Sequence, residues 1–376
     1  MALLAYLVCF AQWLLIIRLS FHHGTTQFRK ALWVSAITST GLTIRGCKGY
    51  EGALAYWLLV IAIGPGTRWG FSSPPLFHPL PRQPNFPRLR STSSWRVFDL
   101  LFNFRMINLP PSSPLPLCNQ TYLSAIFGHS KACIWHILIT DILLWPSLKL
   151  PSTYPSPTYS GFLNSMRDTI SIPGGGIMVD ILMSLSQGVG TYQGTCLIWH
   201  LSAILGISTG LWIPEEWGMK VMDRPDKSDS LIDFWGNRWH QMLTEPIKFI
   251  LSFIPLKVPK SIYILLFFLI SGIIHGPLHY TLTHKCNWVI FTVTFGLYGL
   301  GCVSERGFYK FTGKKVGGIW GRLWMWSFLI VSSRLLVSSL WETERHWNQG
   351  NGEVIQGSLT DWIWRACVSR VKKGMK

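Results

Sequence analysis

Charge is what this sequence has least of. Only 14% of its 376 residues are Asp, Glu, Lys or Arg, against roughly 25% in an average soluble domain. Together with long uncharged runs, that deficit excludes an ordinary soluble protein and places the chain in the membrane class. Length alone would allow two soluble domains, but the spacing of the apolar runs favours one helical bundle. Paired cysteines are also missing. The eight present (Cys9, Cys47, Cys118, Cys133, Cys196, Cys286, Cys302 and Cys367) form no CxxC pair, so neither a zinc site nor a disulfide framework is indicated, and they read as small apolar fillers. There is no P-loop, no HExxH, no GxSxG and no dinucleotide fingerprint, which removes support from ATP-driven transport, metalloprotease and serine-hydrolase chemistry. Internal repeats and paired broken helices, the marks of many transporters, are absent as well.

What the chain does have is apolar surface: 48% of residues are hydrophobic, and the mean hydropathy is +0.28. Its net charge of +17 would suggest nucleic acid in a soluble protein. Here the basic residues cluster in connecting loops, where they fix topology and meet anionic headgroups, so no nucleic-acid partner is expected. The chain holds 20 Trp. Several stand at the ends of apolar runs (Trp13, Trp145, Trp212, Trp320, Trp341), as interfacial anchors do.

A spanning helix needs about 20 mostly apolar residues. Residues 2–17 form the first candidate and read as a retained helix, since a signal peptide would carry a basic start and a small-residue cleavage site. Residues 31–44 and 52–63 are shorter candidates. Residues 64–117 are dense in Pro and Arg, which predicts a cytosolic loop, with an amphipathic helix over 95–108. Residues 122–145 form a good span. The run 177–213 is too long for one helix and contains Gly188, Gly190 and Gly194, so we expect one crossing plus a re-entrant piece. Later spans fall at 249–274, 288–303 and 319–340, with a basic stretch at 305–315 between the last two. The fold expected is all-α: a polytopic membrane helical bundle of about seven or eight spans with a buried substrate tunnel. It divides into N-terminal membrane helices (1–63), a Pro/Arg-rich cytosolic loop (64–117), central membrane helices (118–213), a catalytic region (214–345) and a C-terminal tail (346–376). With 64–117, 214–248 and 304–318 all cytosolic, 177–213 must cross once.

Two clusters carry chemistry. His275 lies in the apolar run Phe267-Phe268-Leu269-Ile270-Ser271-Gly272-Ile273-Ile274-His275-Gly276. A titratable group at membrane depth is costly and reads as functional by default, and His has the pKa to take a proton from an alcohol near neutral pH. An interfacial histidine bonded to a neighbouring helix is an equal reading from these residues alone. His279 and His284 look like interface residues. The second cluster is Ser230-Leu231-Ile232-Asp233-Phe234-Trp235-Gly236-Asn237-Arg238-Trp239-His240-Gln241. On a helix, Asp233, Asn237 and Gln241 would share one face and Phe234 and Arg238 an adjacent one, a surface able to stack a ring and hold an anion. An amphipathic interfacial helix has the same composition.

The run Trp212-Ile213-Pro214-Glu215-Glu216-Trp217, followed by Ser230 to Gln241 and then by Ser271-Gly272-Ile273-Ile274-His275, resembles the wax-synthase-like branch of the membrane-bound O-acyltransferases. Glu305 and Gly321-Arg322-x-Trp324 fit the same pattern. The resemblance covers about residues 210–340 and little of the N-terminal half. It implies a membrane acyltransferase, transferring groups other than aminoacyl, with a buried tunnel entered by acyl-CoA from the cytosolic side. It implies that His275 is catalytic and that Phe234, Trp235, Arg238, Trp239 and Gln241 bind the acyl donor. Asp233, Asn237 and His240 then line and support the site. Related branches often carry Asn where this chain has His240, so His240 receives a supporting role only. No bound cofactor is implied, and acyl-CoA serves as co-substrate, an anion that the basic loops help attract. Overall resemblance to fungal terpenoid and meroterpenoid O-acetyltransferases points to acetyl-CoA, an apolar alcohol and an integral, multi-pass protein of the endoplasmic reticulum. Long-chain alcohol acylation is the enzymatic alternative, and a transporter or membrane scaffold the non-enzymatic one.

Overall fold

The computed structural model describes residues 2–19, 24–46, 120–149, 175–210, 212–218, 221–239, 243–252, 258–283 and 288–350. Among them there are eight longer helices and no β-strand, as an all-α chain requires. The candidate span 52–63, the Pro/Arg-rich loop 64–117 with its amphipathic segment, and the tail from 351 lie outside the described residues. The chain falls into two units, Met1–Ala125 with Gly206–Val316, and Ile126–Leu205 with Gly317–Lys376.

In the first unit, α1 (Ala2–Leu19) and α2 (Thr26–Gly46) pack as a hairpin. Small hydroxyls on α2 meet α1 in the seam. Trp13 Nε1 donates to Thr40 Oγ1 at 3.4 Å, and Cys9 Sγ lies 3.3 Å from Thr43 Oγ1. Further on, the expected span 249–274 is two helices, α5 (Thr244–Leu251) and α6 (Lys260–Thr283). The physical reason is Pro259: a ring without an N–H is disfavoured inside a helix, and α6 starts just after it, with Tyr263 N bonded to Pro259 O at 3.0 Å. The last helix of this unit, α7 (Trp288–Thr312), continues through the stretch expected as a basic loop.

Helices α6 and α7 pack along their length, and glycine sets their separation. A Cβ at Gly272 would lie 2.9 Å from Thr292 Cα and 3.0 Å from Phe291 O, so the two backbones touch. Gly299 repeats this from the other side, with Phe268 Cβ 3.1 Å from where its own Cβ would be. Small residues at such crossings are the rule for helices in lipid, where close backbone approach replaces a hydrophobic drive.

The second unit holds most of α3 (Tyr122–Lys149) and α4 (Gly175–Ser208), together with α8 (Gly318–Gly350). Helix α4 corrects the expectation of a re-entrant piece. It runs unbroken through Gly188, Gly190 and Gly194 for 34 residues, or about 51 Å at 1.5 Å per residue. Glycine lowers helix propensity by about 1 kcal/mol without forbidding the conformation, and three glycines in so long an apolar run do not stop it.

On α3 and α4 large apolar side chains face outward, while polar groups are buried beside small apolar ones such as Cys133, Cys196 and Ala203. Leu123, Phe127, Ile134, Trp135, Ile198 and Leu205 are exposed, whereas His136, Ser184 and Gln193 are buried. Among the described residues one helix, α7, is long and apolar enough to cross a membrane by length and composition, and Leu7–Ile16 and Lys260–Gly276 are shorter apolar stretches.

Candidate active site

The site lies within the first unit and is built on α6, α7 and the segment between α4 and α5. Two 3₁₀ turns, Pro214–Trp217 and Pro225–Lys227, lead into it. In the first, Glu216 is buried and its carboxylate accepts from Ile213 N at 3.1 Å, closing the turn on itself.

Over its described residues, 230–239, the aromatic segment does not form the single α-helix on which those shared faces would lie. Leu231–Asp233 makes one α turn, Phe234–Arg238 continues as a π-helix, and Trp239 is extended. Trp239 N donates to Phe234 O, five residues back, at 2.8 Å. Three side-chain interactions explain the wider turn. Ser230 Oγ accepts from Asp233 N at 3.1 Å. Asp233 then accepts from two residues on consecutive positions, Asn237 Nδ2 at 3.0 Å and Arg238 Nε at 2.6 Å. Arg238 Nη1 also reaches Asp223 O at 3.3 Å, and Asp223 N returns a bond to Arg238 O at 2.8 Å. The bond to Asp233 is the main cause holding the Arg238 guanidinium above its ordinary pKa. Its Nε and Nη1 are thus occupied in fastening the turn. π-Turns within helices often mark functional sites.

What anchors this turn is Glu305, which fits the family pattern without an assigned role there. Glu305 is 4% exposed. Its Oε1 accepts from Leu231 N at 2.7 Å and its Oε2 from Ile232 N at 3.0 Å. A carboxylate receiving the first free N–H groups of a turn acts as a cap supplied from another helix. The signal was present: Phe291, Phe295, Tyr298, Cys302 and Glu305 repeat at spacings of four, three, four and three on α7, and all are buried, so Glu305 continues an inward stripe.

The same stripe places the aromatics. Trp235 lies on Tyr298 with ring centroids 4.7 Å apart and meets Phe268 edge-on at 5.8 Å. Phe234 stacks on Trp239 at 5.2 Å. On α6, the His275 ring packs against Phe295 with centroids 4.5 Å apart. Gly272 lets the two helices approach one turn before His275, which is the physical content of the Ser-Gly-x-x-His run.

His275 Nδ1 lies 2.7 Å from Ser271 O and 3.5 Å from Ser271 Oγ. A carbonyl oxygen only accepts, so Nδ1 carries the proton, and in the neutral ring Nε2 keeps its lone pair. His275 opens on a cleft of about 400 Å³, mouth included, whose walls include Trp235, Trp239, Ile247, Phe268 and Phe295. Trp235 Nε1 is buried without a hydrogen-bond partner among the described residues. The arrangement is an imidazole nitrogen at a largely aromatic cleft, with an unspent N–H donor in its wall.

Of the expected site residues, His275, Trp235 and Trp239 come together at the cleft. Phe234 backs Trp239, while Asp233, Asn237 and Arg238 form the fastening behind. His240, Gln241 and His284 lie outside the described residues, and the side chain of His279 does too. Among the described residues, no group of three or more His, Cys, Asp or Glu is arranged to hold a metal ion.

Residues 218–295 match the model of the membrane bound O-acyl transferase family. The matched stretch takes in the aromatic turn and His275 and ends at Phe295, short of Tyr298 and Glu305. It supports a membrane O-acyltransferase. No curated protein and no solved structure matches the chain.

Proposed function

We propose that this chain is a polytopic membrane O-acetyltransferase that moves an acetyl group from acetyl-CoA to a hydroxyl of a terpenoid or meroterpenoid. The observation that carries the reading is the state of His275: Nδ1 is tied to Ser271 O, and the ring opens on an aromatic cleft. In the proposed reaction Nε2 takes the alcohol proton as the oxygen attacks the thioester carbonyl. The tetrahedral intermediate collapses, the C–S bond breaks, and the CoA thiolate recovers the proton from His275. Ester and thiol form with no net proton released. Positioned general-base catalysis contributes about 10²–10⁴-fold, and holding donor and acceptor together contributes up to about 7–11 kcal/mol. The N–H of Trp235 suits the charge that develops on the carbonyl oxygen. No acyl-enzyme is needed.

Flat aromatic walls favour a bulky polycyclic alcohol. The membrane setting is supported by the family match, by α7 and by the large apolar side chains exposed on α3 and α4. In this reading Phe234, Trp235, Trp239 and Gln241 hold the acyl donor. Arg238 contributes to donor binding mainly by fixing the turn, and His240 supports the site.

The test is transfer of label from acetyl-CoA by membranes expressing the chain, across a panel of terpenoid alcohols. Labelled terpenoid ester supports the proposal. Ester formed only from long-chain acyl-CoA and fatty alcohols replaces it with wax-ester synthesis, and no ester from any pair would leave a transporter or scaffold.

A further inference from the structure

The second unit contains a cluster that the acyl-transfer reading does not use. On α3, His129, Cys133 and His136 stand at spacings of four and three. On α4, His200, Cys196 and Gln193 stand at the same spacings in reverse. Hydrogen bonds join the two rows: His129 Nδ1 to His200 Nδ1 at 2.7 Å, and His136 Nδ1 to Gln193 Oε1. The rings continue the ladder. His200 lies 5.0 Å from His129 and 5.4 Å from His136, the latter stacked. Tyr192 meets His136 edge-on at 6.2 Å. Seven residues of helix separate His129 from His136, so the ladder extends about 10 Å along the seam.

Three histidines in one seam suggest a metal, but the bonded nitrogens of His129 and His200 face each other and that of His136 faces Gln193 rather than a common point, and no metal-holding group of three is formed among the described residues. Two imidazole nitrogens at 2.7 Å have to share a single hydrogen, one as donor and the other as acceptor. In the neutral pair, the donor ring is protonated at Nδ1 and has a free Nε2, while the acceptor ring is protonated at Nε2. A further proton therefore has one place to go, the free Nε2 of the donor ring. That converts the bond into a charge-assisted N–H⁺···N bond. A second added proton would have to land on the accepting nitrogen, which would break the bond and set two cations face to face. The other groups on this seam are His136, Cys133, Cys196, Tyr192 and Gln193. Lys131, two residues from His129, is exposed.

We infer that His129 and His200 form a site for one proton, a histidine dyad that clasps α3 to α4 when it holds none or one and opens when forced to hold two. The inference is independent of the acyl-transfer reading, whose reaction is proton-neutral. Such a clasp makes this unit pH-sensitive in a defined sense. Unfolding frees both histidines to take a proton each, so at acid pH unfolding takes up one proton more than the clasp holds. The unfolding equilibrium then shifts toward unfolding by about tenfold per pH unit below the ordinary histidine pKa.

The test uses the full chain in lipid nanodiscs with ¹⁵N-labelled histidine, following the imidazole nitrogens from pH 8 to pH 5. His129→Gln and His200→Gln serve to assign the signals. We expect the two rings to change together and to take up one proton between them. Two protons bound by pH 5, or none, overturn the inference. So does a stoichiometric transition metal in the purified parent protein that is lost in His200→Gln. The count is made on the parent protein, so a variant that fails to fold does not protect the proposal.

Discussion

At the scale of single residues, the candidate site depends on a carboxylate whose two oxygens each hold a backbone N–H. Glu305 satisfies two backbone N–H groups of the turn carrying Trp235 and Trp239. Leaving one buried donor unsatisfied costs on the order of 1–3 kcal/mol. Glu305→Gln keeps the shape but turns an NH₂ toward one of those donors, so we expect transfer to fall roughly tenfold or more while the protein still accumulates in membranes. A Glu305→Gln enzyme with unchanged kcat and KM would remove the anchoring role. Asp233 and Arg238 form a second fastening, in which each residue's main task is to hold the other. Asp233→Asn and Arg238→Gln should each weaken transfer, and the double variant should be little worse than either single one, as expected for residues in one network. Additive losses, read from kcat/KM of the three variants, would mean that Arg238 acts separately, for instance on a CoA phosphate. The identities of these residues were legible in the sequence; their geometry was not. The π-turn is imposed from Glu305, 74 positions from Leu231, and by an aspartate that holds two successive donors. Helical spacing within twelve residues contains neither fact.

At the scale of elements, glycine has opposite meanings in different helices. Gly272 is where α6 and α7 touch, and a methyl group there meets backbone. Gly272→Ala should cost about 1–3 kcal/mol as overpacking and should shift His275 with its helix. Gly188 in α4 has open space where its Cβ would stand, so Gly188→Ala should raise stability by up to about 1 kcal/mol. Thermal unfolding midpoints in detergent check both, and equal effects of the two changes would contradict the packing described. Hydropathy located the N-termini of α1, α3, α4, α7 and α8 to within about two residues. It failed where a run's character changes without a break in apolarity. Pro259 divides 249–274, which hydropathy alone reads as one span. Conversely, α7 runs past Val303 because Glu305 and Lys310 are tolerated on a helix that has a polar partner at one and solvent at the other.

At the scale of the whole molecule, the low share of charged residues points to a membrane protein, and the large apolar side chains exposed on α3 and α4 fit that reading. Apolar side chains cover their outer surfaces while histidines and glutamine fill the seam. That distribution is stable in hydrocarbon and costly in water. The chain should therefore stay with the membrane pellet after alkaline carbonate extraction, and release into the supernatant would contradict the membrane reading. The site was legible because its residues are chemically unusual for their surroundings. The histidine seam is not legible in the sequence because His129 and His200 lie 71 positions apart in the chain.

The central claim is that His275, with Nδ1 held by Ser271 O and Nε2 left as the ring's basic nitrogen, is the base of an acyl transfer. It is tested most directly by comparing ester formation by membranes carrying the parent chain and His275→Ala at equal protein level. The account predicts a loss of about 10²-fold or more in the variant. Ester formed at the same rate by both would contradict it.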